Sequence, residues 1–261
     1  MKKITQIVIC LLGSAAFAQP VINSTDFDNI NYAFFSKSTS SATVNQGAAG
    51  ADVIWNFSTF ILTANPDDID GTTIMKVPTG PLSGIFSDSN YVLKFGKILN
   101  AGIGNIFHAY YNKTASKLEI LGSGGGTQIK FSLINASTVF VYPSSFGMFS
   151  TDTSQETGSS LVDTNTITYD TYGTFITSFG TFTNVIRLKR ETAGSSYVGY
   201  DWITGNPYQE IASAEIDLNG TFYISVKQPA ALANESFTAS KITFYPNPAT
   251  SVLNIKISDN S

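Results

Sequence analysis

The chain has 261 residues, 43% hydrophobic and 13% aromatic, but only 13% charged, half the ~25% of an average globular protein. That apolar content excludes a disordered chain, and beyond the amino terminus no stretch reaches the ~18 apolar residues of a membrane-spanning helix. One Cys and one His exclude a disulfide framework and an all-protein His/Cys zinc site within a single chain.

Residues 1–18 read as a secretory signal. Lys2 and Lys3 form a charged start, 4–12 an apolar stretch, and Ala16, Phe17 and Ala18 a small-x-small site, which places cleavage between Ala18 and Gln19. Cleavage removes two of 15 basic residues and none of 19 acidic ones, so the net charge moves from −4 to 13 − 19 = −6. Nucleic acid is therefore not an expected partner. Cys10 leaves with the signal, and the mature chain has no thiol to oxidise outside the cell.

Residues 19–227 contain no charge run or proline-rich linker and read as one all-β domain. Short runs rich in Val, Ile, Phe, Tyr and Thr recur at 53–57, 91–95, 106–112, 117–121, 127–133, 138–142, 167–171, 182–189, 197–203 and 221–226. Several alternate with period two, as a strand with one apolar face does. No capped, helix-period segment of ten residues follows the signal. So many short strands predict antiparallel sheets packed as a β-sandwich, with a closed barrel as the alternative.

Candidate chemistry is sparse. Asp26, Asp28, Asp170, Asp201 and Glu210 are carboxylates of the kind a glycoside-cleaving pair ~5–9 Å apart would need, but sequence does not measure separation. The run Asp67, Asp68, Ile69, Asp70, Gly71 hints at calcium. A helix-loop-helix calcium loop would need an acid where Pro66 stands and a Glu just beyond Met75, so an acidic turn is the better reading. His108, the one histidine, lies on the strand 106–112 without a nucleophile motif and reads as structural or surface-exposed. Gly122, Gly124, Gly125 and Gly126 precede a period-two run rather than a helix, which favours a hairpin turn supplying positive φ over a phosphate loop.

Gly173 and Gly180 punctuate a hairpin that puts Arg187 and Lys189 on one strand face, with Ile186 and Leu188 on the other. A solvated face is expected there rather than a cationic patch for acidic polysaccharide. Nineteen Phe, twelve Tyr and two Trp invite a search for a sugar-stacking platform. Tyr200 and Trp202, two apart on one strand, are the candidates if that face points outward; Trp55, between Val53 and Phe57, reads as core.

Residues 228–241 read as a linker, and 242–261 change character. Tyr245, Pro246, Asn247 and Pro248 form a turn with φ fixed on both sides of Asn247, and Val252, Leu253, Ile255 and Ile257 follow as a strand. This segment resembles the opening of the type A C-terminal sorting domain carried by cargo of the type IX secretion system of Bacteroidota. The chain ends at Ser261 with a single strand after the turn, so a truncated sorting domain is expected. The stretches 47–58, 172–174 and 179–189 look like phrases of uncharacterised proteins with the same tail, and no activity comes with them. The resemblance implies export across both membranes, the export machinery as partner, and a secreted or surface-attached product. Together these readings predict a non-catalytic adhesin-like or glycan-binding module without cofactor or metal; a secreted hydrolase using paired carboxylates is the alternative.

Overall fold

The computed structural model describes residues 19–41, 45–64, 71–99, 102–230, 242–245 and 254–257. Residues 1–18, read from sequence as a signal, residues 65–70 and the turn residues Pro246, Asn247 and Pro248 lie outside these. No helix among the described residues is long and apolar enough to cross a membrane.

A short 3-10 turn, Ser24–Phe27, precedes strands β1 (Asn31–Ser41), β2 (Gly50–Asn56), β3 (Thr63–Ala64), β4 (Thr72–Val77), β5 (Tyr91–Leu99), β6 (Gly102–Lys113) and β7 (Lys117–Gly125). There follow β8 (Gln128–Val141), β9 (Phe149–Glu156), β10 (Asp163–Thr177), β11 (Gly180–Thr192), β12 (Val198–Thr204), β13 (Gln209–Ile216) and β14 (Phe222–Pro229). Each of the runs read from sequence falls on one of these strands.

Starting at β1, antiparallel pairing passes through β4 to β14 in chain order and returns to β1, giving a closed barrel of 12 strands. The expected sandwich is thereby corrected to its alternative. Period-two alternation is the same in both architectures. What decides between them is the long-range pairing of 34–41 with 222–229, which joins the two ends of the body and leaves no open pair of edges. β2 runs parallel to β10 outside the ring, and β3 pairs with β1.

One end of the barrel is plugged by the amino-terminal residues. Ile22 and Ser144 exchange backbone hydrogen bonds of 2.9 Å, and Phe27 stacks on Tyr208 at 4.6 Å beside Phe140 and Tyr142. The Tyr91 hydroxyl donates to the Phe27 carbonyl and the Tyr169 hydroxyl to the Pro20 carbonyl, both at 2.7 Å. The lower lumen is filled by Ile30, Phe34, Ile74, Leu93, Leu118, Ile186, Leu188 and Ile203. Each such side chain, fully buried, contributes ~1.5–3 kcal/mol before chain entropy is set against it.

Two coats cover parts of the outer wall. Trp55 and Phe57, from the segment 45–64, pack over Phe175, Val185, Trp202, Ala212 and Val226 of β10–β14. Leu82 and Phe86, from the connection between β4 and β5, pack on Val92 and Tyr110. The second coat and the backbone of β8 at Gln128 and Phe131 both crowd the glycine run. A Cβ on Gly122 would lie 2.5 Å from the Phe86 ring and one on Gly124 2.4 Å from Leu82. Of this run, the turn-type conformation belongs to Gly126, at φ +58°.

The ring is thinnest between β8 and β9. Backbone register there is confined to Leu133 with Glu156 and Asn135 with Gln155. Farther along, the Asp152 carboxylate takes over, accepting from the Thr138 N–H at 2.8 Å and the Thr138 hydroxyl at 2.6 Å. Burial opposes its charge, but those bonds and one from the Thr153 N–H hold its pKa below the ordinary 3.8. A depressed carboxyl stabilises the fold above its unfolded pKa and loses that contribution as pH falls through the folded value. Acid titration of Tm is therefore expected to show a downward step below pH 3.8 that is absent in Asp152→Asn. An identical acid limb in that variant would show that the seam does not depend on this charge.

At the carboxyl end, β15 (Ile242–Tyr245) and β16 (Asn254–Ile257) pair antiparallel, with Tyr245 opposite Asn254.

Candidate functional site

Opposite the plug the barrel is open, and its inner wall changes from apolar to polar. Successive register partners build two transverse rows across β1, β14, β13 and β12. The upper row is Ser40, Tyr223, Glu215 and Gly199, ending at Arg190 on β11; the lower is Ser38, Ser225, Ser213 and Asp201. The alternate residues Ile224, Ala214 and Tyr200 point outward into the core beneath the 45–64 coat. With that outer side dry, these strands expose their hydrophilic side to the lumen, the inverse of a sheet packed on one core.

The rows and Tyr197 line a cavity of about 810 Å³, within the size range of small-molecule sites. At its inner wall Arg190 Nε donates to Asp201 Oδ2. Burial works against the guanidinium charge, but the Asp201 carboxylate outweighs it and raises the Arg190 pKa. Near this pair, Lys227 Nζ lies 3.7 Å from Glu210 Oε1 and 5.0 Å from the centre of the Phe34 ring. Burial pushes the Glu210 carboxyl upward against the pull of Lys227, and Asp201 adds to the rise. Burial also lifts the Tyr32 and Tyr208 phenols far above neutrality, so both stay protonated.

At the rim the Tyr197 hydroxyl donates to Glu215 Oε2, and the Tyr223 hydroxyl lies 3.4 Å from Asp217 Oδ2. Burial, then the Glu215 hydrogen bond, push the Tyr197 pKa up to about 12. Both rings stay open, Tyr197 at 46% and Tyr223 at 40% exposure. Gly199 packs beside the Tyr197 ring: a Cβ there would sit 3.7 Å from Arg190 Cβ and 3.8 Å from that ring, in ordinary contact.

Of the residues singled out from sequence, Asp201 and Tyr200 border this cavity, and most of the others fall elsewhere. Tyr200 and Trp202 do share a strand face, but at 5% and 0% exposure they are core beneath Trp55 and Phe57, not a platform. Arg187 shares that face and is neither patch nor solvated: its Nε and Nη2 bind Asp170 Oδ1 and Oδ2 at 2.9 and 2.8 Å, and its Nη1 and Nη2 the carbonyls of Gln46, Gly47 and Ala48. Lys189 makes a surface pair with Glu191 at 2.7 Å. His108 is buried beside Gly80 and Tyr110 on the outer wall, where burial and then Lys94 lower its pKa.

Of the five carboxylates, Asp26 accepts from the Asn23 N–H at 2.8 Å, Asp28 pairs with Lys113 at 2.6 Å, and Asp170 holds Arg187. Asp201 and Glu210 alone of the five share the lumen. Asp67, Asp68 and Asp70 lie outside the described residues, and among those described no group of three or more His, Cys, Asp or Glu is placed to hold a metal. Sequence reading missed the rim itself: Ser38, Ser40, Ser213, Glu215, Tyr223 and Ser225. The one available signal was serine at every second position, Ser36, Ser38, Ser40 in β1. Comparison with family models, curated proteins and solved structures finds no match.

Proposed function

We propose that this chain is an exported, non-catalytic binding protein that holds a saccharide-sized polar ligand in the open mouth of its barrel. The observation that carries the reading is the cavity of about 810 Å³, whose two rows of hydroxyls and carboxylates meet two open tyrosine rings. Sugars present that combination in reverse, with apolar ring faces for stacking and a rim of hydroxyls for hydrogen bonding. Export rests on the signal segment and on the resemblance around Tyr245, Pro246, Asn247 and Pro248. Deletion of the residues after Lys241 should abolish release to the medium and cell surface; unchanged export would defeat that part.

A glycan array read out with purified mature protein is the primary test. The variant Tyr197→Ala/Tyr223→Ala removes only rim side chains, so it should fold normally and bind about tenfold more weakly, the equivalent of one good aromatic contact. Unaltered affinity would remove the mouth as the site.

A hydrolase has one observation in its favour: Glu210, its carboxyl raised, lies near Asp201, as an acid and a second carboxylate would be arranged. Against it, each carboxylate is already tied to a cation, Asp201 to Arg190 and Glu210 to Lys227. Incubated oligosaccharides should keep their length; shortened products lost in Glu210→Gln would favour the enzyme.

A further inference from the structure

The charges at the mouth are unbalanced. The cavity lining carries one cation, Arg190, and two carboxylates, Asp201 and Glu215. Arg190 is committed to Asp201, and the pair is neutral to an incoming ligand. Glu215 faces the same space from the upper row, and among the described residues no cation pairs with it; its carboxylate accepts from the Tyr197 hydroxyl. Asp217, on the turn between β13 and β14, adds a second negative group at the rim, its carboxyl held below the ordinary value by the N–H of Thr221 despite burial.

The two rings have their hydroxyl ends directed to these carboxylates, Tyr197 to Glu215 and Tyr223 to Asp217. Register fixes their arrangement: Tyr223 is the cross-strand partner of Glu215 on one side, and Gly199 is its partner on the other. Gly199 has no side chain, and a Cβ there would be in ordinary contact with the Tyr197 ring and Arg190, so a larger residue would crowd the side of the mouth where Tyr197 meets Glu215. A carboxylate beside two accessible π faces is an arrangement that attracts a cation twice, through charge and through the ring quadrupole.

We infer that the mouth selects ligands bearing an ammonium group, with Glu215 as counter-ion and Tyr197 and Tyr223 as flanking walls. This deepens the saccharide reading to amino sugars rather than neutral or acidic ones. A carboxylate-bearing sugar would meet Glu215 with like charge, and the one guanidinium in the cavity is already engaged. The hydroxyl row Ser38, Ser225 and Ser213 then takes the sugar hydroxyls.

Calorimetry in mildly acidic buffer, where glucosamine amines are protonated, tests this with four probes. They are a glucosamine tetramer, an N-acetylglucosamine tetramer, cellotetraose and 1,6-diaminohexane. The glucosamine tetramer should bind at least about tenfold tighter than the two uncharged tetramers, and added salt should erode the advantage. Glu215→Gln keeps an acceptor for the Tyr197 hydroxyl and should bring the three tetramers to within about twofold of one another. Equal binding of all three by the unmodified protein, or a preference that survives Glu215→Gln, would overturn the ammonium assignment and leave the saccharide reading standing. The diamine binding as tightly as the glucosamine tetramer would uphold the ammonium site and overturn the saccharide reading. No binding by any probe would overturn both.

Discussion

Arg187→Ala should destabilise the protein by about 3–5 kcal/mol, the range for removing one partner of a buried, hydrogen-bonded ion pair. The guanidinium is 1% exposed and 5.1 to 6.0 Å from the ring centres of Tyr200, Trp55 and Trp202. Its loss strands the Asp170 carboxylate and three loop carbonyls at once. Urea denaturation gives the readout, as a fall in midpoint at unchanged slope. Arg187→Lys should recover little, because one ammonium group cannot serve both carboxylate oxygens and the loop together. A midpoint shift equivalent to less than about 1 kcal/mol in Arg187→Ala would mean the ion pair merely offsets its own desolvation.

Gly173→Ala should cost about as much by a steric route. In the parallel pairing of β10 with β2, a Cβ at Gly173 would lie 1.8 Å from the Val53 carbonyl oxygen and 2.6 Å from the Val53 nitrogen. Both are backbone atoms, so no rotamer change relieves the clash, and β2 must leave its place. Overpacking alone costs ~1–3 kcal/mol. Displacing β2 also uncovers Trp55 and Phe57, adding roughly 1.5–3 kcal/mol for each ring returned to water. Trp fluorescence should shift to the red while the barrel keeps its far-ultraviolet signal, a pattern that separates loss of the coat from global unfolding. An unshifted spectrum with unchanged stability would show that β2 does not depend on the missing side chain.

Strands with one apolar side were readable from sequence. β5, β7, β11 and β12 announce themselves through alternation of Val, Leu, Ile, Tyr and Trp with polar residues. β3, β4 and β9 were not among the runs, and nor were β1 and β13, where Ser36, Ser38, Ser40, Ser213 and Glu215 interrupt any hydrophobic pattern. Those last two are strands that build much of the polar mouth, so the proposed binding wall lay where hydrophobic periodicity is weakest. At β12 the alternation was read correctly, but which side faces the core was left open. Tyr200 and Trp202 were the candidates for a ligand face, yet Gly199 and Asp201 face the cavity, because the 45–64 coat covers the aromatic side. That coat is a long-range event, as is the closure of β1 on β14, and neither leaves a mark in a local window.

The plugged end and the β1–β14 closure together set when this protein first becomes competent. Four of the five residues of the upper row come from β11 to β14, and the fifth, Ser40, arrives only when β1 meets β14. Bringing together partners from opposite ends of the body is the slow, entropically expensive step of such a topology. A chain in which β1 and β14 have not met therefore lacks a complete upper row. On the proposed reading, binding would become possible only once this closure has formed.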